Sequence, residues 1–385
     1  MRSGWLTTGP RVRQFEEAFA QAVGARYAVA VSSATAALHL ALDAVGLRTG
    51  QAVLVPTMTF AATAEVVGHF GAFPILVDCD PVTLGLDLED ADRKLAALRK
   101  GTLSDRIPAD APVAGVIPVH VGGYVLSYDA LWKFAEHHGL WIIEDAAHAF
   151  PAAWRHGDDT PWVRCGEDTA SVTCYSFYAN KTITTGEGGM AVTGDAEIAA
   201  RIRTLSLHGM TRDDPAGAER LGRWEDDIVA PGYKYNLTDL AAAIGIHQLA
   251  RAEEMRCKRE RIAETYLSGL AGIDQLALPP VSNDRLCSWH LFIVRLRLES
   301  MPIDRREFVQ ELRRLGVSCS VHWKPLHLHP YYQATYKWDP GLFSVATDLW
   351  HRLVSLPIFP TMSDDEISHV VSSVRALCSR RGGSG

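Results

Sequence analysis

The sequence has no apolar run approaching the roughly 20 residues that a membrane-crossing helix needs, which argues against a helical membrane protein. Residues 1–10 lack the apolar core of a signal peptide, so a cytoplasmic location is expected. A basic surplus is also missing: 38 Lys and Arg against 45 Asp and Glu leave a net charge of −7, the wrong sign for a nucleic-acid binder. The seven cysteines (Cys79, Cys165, Cys174, Cys257, Cys287, Cys319 and Cys378) contain no close pair. Odd in number and scattered, they suit reduced thiols better than a disulfide framework or a zinc site. Among the 15 histidines, the closest clusters are His137-His138 and His327 with His329. Neither has the i, i+4 spacing with an intervening acid that marks metalloproteases, and no metal is expected. Low-complexity tracts and internal repeats are absent as well.

What is present is an ordinary globular composition, 47% apolar and 22% charged, spread over 385 residues. That length exceeds what one hydrophobic core usually serves, so two domains are expected. They are placed at residues 1–255, a large α/β domain, and 256–385, a smaller α+β domain. Residues 12–24 show helical spacing and end on Gly24 as a C-cap. A short strand at 27–31 then runs through small residues into a helix over 32–42. Strand, small-residue turn and helix gather free amides and the positive helix end at one point, an anion site at Ser33, Ala34 and Thr35. An ordinary N-cap explains the same residues.

Further buried-type strands at 52–56, 74–77, 113–119 and 140–144 alternate with helices, the pattern of a mostly parallel sheet. Two more at 171–177 and 189–193 bring the count to seven. Phe60 lies just past a strand end, where an aromatic covers a flat ring or simply packs a core. The 140–144 strand runs out in Glu144-Asp145, at the carboxyl end where open α/β sheets bind ligands. Asp145 could keep a pyridinium nitrogen protonated there, or cap a following helix. Residues 101–112 and 151–168 read as surface loops, and 207–231 as a charged loop. Thr238 or Asp239 caps one long helix that links the domains. Beyond it come strands at 289–298 and 317–322, helices at 304–315 and 364–378, and a turn at 356–360.

The stretch around which the rest is organised is Ser176-Phe-Tyr-Ala-Asn-Lys181-Thr-Ile-Thr-Thr-Gly186-Glu-Gly-Gly-Met190. It presents a hydroxyl and a lysine five residues apart between a β-rich run and a Gly-rich turn. A lysine amine forms Schiff bases with pyridoxal phosphate, an electron sink for amino-acid chemistry. Ser176 could reach the cofactor phosphate. A β-hairpin with a solvated lysine fits this stretch alone equally well.

Several separated segments together resemble the pyridoxal-phosphate-dependent nucleotide-sugar aminotransferases of the DegT/StrS kind, nearly end to end. They are Ser33-Ala-Thr-Ala-Ala-Leu-His-Leu40, Pro56-Thr-Met-Thr-Phe-Ala-Ala-Thr63, Pro118-Val-His-Val-Gly-Gly123, Ile143-Glu-Asp-Ala-Ala-His148, residues 176–189 and Ser355-Leu-Pro-Ile-Phe-Pro360. Ala34 stands where the family usually has glycine, and His148 where it often has glutamine near the cofactor hydroxyl. Gly232-Tyr-Lys-Tyr-Asn-Leu-Thr-Asp239, like residues 3–9, resembles the branch making UDP-4-amino-4-deoxy-arabinose.

The resemblance implies an aspartate-aminotransferase-like fold (fold type I) and a homodimer with shared active sites. It implies transamination from L-glutamate to a keto-sugar, 4-keto rather than 3-keto. By the same likeness Lys181 carries the cofactor and moves protons, Asp145 keeps its ring nitrogen protonated and Phe60 stacks on it. Ala34, Thr35, Ser176 and the partner's Asn236 then hold phosphate. His322, Lys324 and His327 are candidate substrate contacts, or part of an aromatic packing loop. Two rivals remain, a sugar dehydratase, whose relatives replace the lysine with histidine, and a non-catalytic regulator. Lys181 and Asp145 together argue against both.

Overall fold

The computed structural model describes residues 4–211, 227–301 and 303–379. Short apolar runs recur along the first half of the chain and become strands whose side chains are covered on both faces, as parallel sheets require. These are β1 (Tyr27–Val31), β2 (Ala52–Pro56), β3 (Phe73–Val77), β4 (Val113–Val116) and β5 (Trp141–Asp145). Two small strands, β6 (Ala153–Trp154) and β7 (Val163–Arg164), precede β8 (Val172–Ser176) and β9 (Gly189–Thr193). The central sheet has seven strands in the order β1–β9–β8–β5–β4–β2–β3. β9 runs antiparallel to both its neighbours, and every other pairing is parallel.

The helices α1 (Pro10–Val23), α2 (Ala34–Ala44), α3 (Ala62–His69), α4 (Leu88–Arg99), α5 (Tyr128–His138) and α6 (Ala196–Ser206) alternate with these strands. α1 begins with proline in its first turn and ends at Gly24 (φ 75°), whose amide reaches the carbonyls of Ala20 and Gln21. Its Phe15 and Phe19 pack edge-on or tilted against Phe177 and Tyr175 of the sheet. α2 starts at Ala34, capped by Ser33, whose side chain accepts from the Ala36 amide.

The long helix expected from Thr238 is two helices, α7 (Asp239–Leu249) and α8 (Ala252–Leu270). Thr238 does cap α7, accepting from the Ala241 amide. Asp239 instead accepts from the amides of Arg11 and Val12 at the start of α1. Arg251, at φ −110° and ψ 4°, leaves the helical conformation. The break lets α7 lie along α1 while α8 packs on the C-terminal helix.

Beyond α8 come β10 (Leu276–Ala277), β11 (Arg285–Leu286), β12 (Phe292–Leu296), α9 (Arg305–Arg314), α10 (Pro330–Tyr336), α11 (Ser344–Trp350), β13 (Leu353–Leu356) and α12 (Asp364–Cys378). A second sheet is β10–β12–β13, all antiparallel. The strand expected at 317–322 is not there: one bridge, Ser320 to Ser355, touches the sheet before the chain turns away. β13, just before the expected 356–360 turn, supplies the sheet's third strand. Residues 151–168 are a surface loop only in part: His156 and residues 158–162 are exposed, but much of the rest is not. Ala152, Ala153 and Trp154 are buried, and β6 pairs with both β7 and β11. Strands of two residues leave no periodicity for a sequence reading to detect. Of the 207–231 loop, residues 212–226 lie outside the described residues.

Apolar side chains gather in one large cluster around the central sheet, which also takes in Leu326, Tyr332, Tyr336, Trp338 and Phe343. A second joins Tyr266 of α8 to Phe292, Phe308 and Val374 around the smaller sheet. Among the described residues, no helix is long and apolar enough to cross a membrane.

Candidate active site

Side chains alternate along a strand, and at the end of β5 this separates two adjacent carboxylates. Glu144 is fully buried and accepts from Thr169 (2.7 Å) and Thr173 (2.5 Å), with His120 Nε2 3.1 Å away. Burial resists a charge on His120, but Cys165 and the Glu144 carboxylate beside it push the imidazole up to about 10. Asp145 turns the other way, into an open cavity of about 370 Å³ beyond the strand ends. Its Oδ2 accepts from Thr63 Oγ1 (2.7 Å) and its Oδ1 from the Ala147 amide (3.1 Å). Thr63 is itself hydrogen-bonded to Thr59 (2.9 Å), so two hydroxyls and an amide fix the carboxylate's orientation.

Lys181 reaches the same cavity from the turn after β8. The turn is tied down by a Tyr178–Gly186 bridge, by the Lys181 amide on the Tyr178 carbonyl (3.0 Å) and by the Thr184 hydroxyl on the Phe177 carbonyl (3.0 Å). Burial pushes the lysine down to about 8, with the Asp145 charge opposing the shift. An amine in this condition is partly free base near neutrality, which nucleophilic and proton-transfer roles need.

The start of α2 closes one end of the cavity with Ser33, Ala34 and Thr35, and Ser176 lines it nearby. The first amides of a helix have no partner within it, so this end is an anion site. Gly189 makes the approach possible: a Cβ there would lie 2.4 Å from the Ser33 carbonyl carbon. Phe60 lines the cavity with 63% of its surface exposed, offering it a flat apolar face.

His148 also lines the cavity, its Nδ1 accepting from the Gly122 amide (3.3 Å). Trp323 stacks on its ring at 5.1 Å and His290 packs against it at 4.2 Å. Burial above all, with the Lys181 charge adding to it, holds His148 well below its usual range. The ring is a neutral imidazole with its proton on Nε2.

Eight candidates therefore meet at one cavity: Ala34, Thr35, Phe60, Asp145, His148, Ser176, Lys181 and His322. Three do not. His327 is buried elsewhere, sharing hydrogen bonds with Thr57 (2.8 Å) and Thr347 (3.0 Å) and stacking on Phe343 at 4.4 Å. Lys324 is not among the lining residues. Asn236 bridges to Val31, bonds Lys234 and donates to Thr8 Oγ1 (2.7 Å), outside its own chain's cavity. The sequence pointed to Trp323 only as part of the 321–327 run around His322, and it gave no sign of a site role for Thr63 or His290. Thr63 stood within a quoted motif, but nothing local signals a partner 82 positions away.

A Schiff-base-competent amine, a fixed carboxylate, a flat aromatic and a helix-start anion site, all on one cavity, match the parts of pyridoxal phosphate: aldehyde, ring nitrogen, ring face and phosphate. The residues present fit that cofactor. Fold and site together define the class, a pyridoxal-phosphate enzyme of the aspartate-aminotransferase-like fold.

Comparison with known proteins agrees. Residues 1–375 match the DegT/DnrJ/EryC1/StrS aminotransferase family, and the chain belongs to it. It is 39% identical over 378 residues to the spore coat polysaccharide biosynthesis protein SpsC of Bacillus subtilis, covering 98% of this chain and 92% of that one. Spr1654 of Streptococcus pneumoniae, solved in PMP and PLP forms, superposes with a TM-score of 0.85 at 30% identity in the PMP form, covering 98% and 94%. The sugar aminotransferase CalS13 of Micromonospora echinospora gives 0.80 at 28% identity, covering 97% and 94%.

Proposed function

We propose that the protein transfers the amino group of L-glutamate to a keto group, at C4, of a nucleotide-linked sugar. The observation that carries this reading is the convergence of Lys181 and Asp145 on a cavity closed by the start of α2. The sugar rests on the relatives, since CalS13 is a sugar aminotransferase and SpsC serves polysaccharide biosynthesis. The 4-keto position rests on the Gly232 to Asp239 motif.

Bound pyridoxal phosphate supplies a conjugated electron sink that lets a donor's α-hydrogen leave as a proton. Lys181 would hold the cofactor, and its amine, when free, would be the base that moves the proton between the donor's Cα and the carbon on the far side of the amino nitrogen. Asp145, fixed by Thr63 and Ala147, would set negative charge against the ring nitrogen. Phe60 would cover one ring face, the Ala34 and Thr35 amides with Ser176 would hold the phosphate, and His148 Nε2–H would donate to the ring hydroxyl.

The working unit in this reading is a homodimer. Trp5, Leu6, Ile228, Val229, Leu240 and Ile244 are exposed apolar side chains, the last two one turn apart on α7. In this reading Asn236 of each chain, which is not part of its own cavity lining, serves the other's phosphate site. Within each subunit we assign residues 1–255 to the cofactor-binding domain and 256–385 to the smaller one, from which Leu326, Tyr332, Tyr336, Trp338 and Phe343 pack into the core around the central sheet.

Incubating holoenzyme with L-glutamate and a panel of UDP- and TDP-linked 3-keto and 4-keto sugars tests the reading. The expected product is the 4-amino sugar, identified by mass and NMR. Amination of the 3-keto series alone would reassign the carbon, and no amination of any sugar would end the sugar reading.

A further inference from the structure

His290 is a cavity group to which the chemistry above gives no task. It lies just before β12, is 6% exposed, and lines the cavity. Among the described residues its Nδ1 is sealed from solvent without a hydrogen-bond partner. A buried acceptor is left unpaired more readily than a buried donor, so the ring proton belongs on Nε2, the edge left for the cavity. The ring is held firmly in place. Trp289 before it takes a left-handed turn (φ 50°), and the Arg259 guanidinium clasps the carbonyls of Trp289 (3.1 Å), His290 (3.5 Å) and Ile358 (2.9 Å).

A second ring is built alike. His322 lines the cavity with its Nδ1 engaged by Ser355 Oγ at 2.8 Å, which leaves Nε2 for the cavity. Burial and the nearby Lys181 charge hold both rings neutral, His290 well below its ordinary value and His322 at about 4.

Resting on the aminotransferase reading, one cavity must accept two unlike molecules in turn, an amino acid and a sugar. They differ most in the carboxylate next to the donor's amine. The lining carboxylates Asp145 and Glu187 repel that group, and the start of α2 with Ser176 is committed to the cofactor phosphate. Of the other donors that line the cavity, Thr59 is bonded to Thr63 and Tyr178 and Asn180 are exposed, which leaves Lys181, the Trp323 indole and the imidazoles. An arginine would hold a carboxylate strongly, but would become a buried, unpaired cation whenever a neutral sugar took its place. A neutral imidazole N–H serves a carboxylate or a hydroxyl without that penalty. We propose that His290, together with His322, is the seat of the amino donor's α-carboxylate, and that the same Nε2–H groups pass to sugar hydroxyls in the second half-reaction.

The test uses holoenzyme and follows the cofactor's absorbance change in the first half-reaction alone, titrated with L-glutamate, L-glutamine and L-alanine. Isopropylamine, which lacks a carboxylate, is the reference amine. His290→Ala is expected to weaken the apparent affinity for responding amino acids about 10- to 100-fold, the loss of a hydrogen bond to a charged group, and to change the isopropylamine response less than threefold. His290→Gln, which keeps an N–H donor, is expected to recover most of the loss. Equal effects on amino acids and isopropylamine, or no effect on either, overturn the seat and leave the aminotransferase reading standing. If wild-type holoenzyme responds to no amino acid, the aminotransferase reading fails first and takes the seat with it.

Discussion

Thr63 donates its hydroxyl hydrogen to Asp145 Oδ2 across 2.7 Å, joining the first turn of α3 to the end of β5. The hydroxyl makes a buried carboxylate oxygen face one direction, and Thr59 holds the hydroxyl in turn. Thr63→Val keeps the volume but strips a charged acceptor of its partner. Turnover is expected to fall about 10- to 100-fold, with weaker cofactor retention, whereas Thr63→Ser should stay close to wild type. Steady-state kinetics and cofactor titration of the two variants decide this.

Asp145→Asn should still bind cofactor but lose orders of magnitude in rate. The proposed task of Asp145 is electrostatic, and a neutral amide cannot balance a charged ring nitrogen. Near-wild-type turnover by this variant would leave Asp145 a purely structural role, accepting from Thr63 and the Ala147 amide, since the element that follows β5 is the strand β6 and not a helix for it to cap.

Lys181→Met is expected to abolish turnover and to stabilise the apoprotein. Folding lowers the lysine from 10.5 to about 8, so below pH 8 both states are charged and the folded state bears the full cost, about 3 kcal/mol. Between pH 8 and 10.5 the folded chain has lost the proton and the unfolded chain has not, so stability rises with pH. Above 10.5 the cost is gone. Urea unfolding of the two apoproteins should therefore show a difference near pH 7 that shrinks towards pH 10. A difference independent of pH would assign it to packing.

Mixing two inactive chains tests the shared site. Lys181→Ala removes the amine, and Asn236→Asp sets a carboxylate against the phosphate. If Asn236 serves the partner's cavity, a mixed dimer concentrates both lesions in one site and leaves the other wild-type. Activity should reappear, up to about half that of wild type per mixed dimer. Continued inactivity after demonstrated subunit exchange would place Asn236's role within its own chain.

The apolar runs that became the seven central strands, the Ser33-capped start of α2 and the Glu144-Asp145 strand end were all legible in the sequence. Each is written in consecutive residues: pattern and length mark a buried strand, and Ser before a helix marks a cap. The Lys181 segment was legible for the same reason, a functional turn that is continuous in the chain. The expected strand at 317–322 failed because its β-forming composition does not say that His322 and Trp323 must leave the sheet for the cavity. The break at Arg251 was equally silent, with no proline or glycine to mark it.

What the sequence determined by itself was therefore local: where strands and helices form, which turns present a lysine, an aspartate or a helix end, and which family those turns resemble. Tertiary structure alone decided which side chains share the cavity. It brought Thr63 to Asp145 and His290 to His148, and it withdrew His327 into a buried contact with Thr57, 270 positions away. Periodicity reports on neighbours within a turn of helix or along a strand, because those are fixed by backbone geometry. Contacts between distant segments depend on how sheets and helices stack to exclude water, and no run of consecutive residues carries that arrangement.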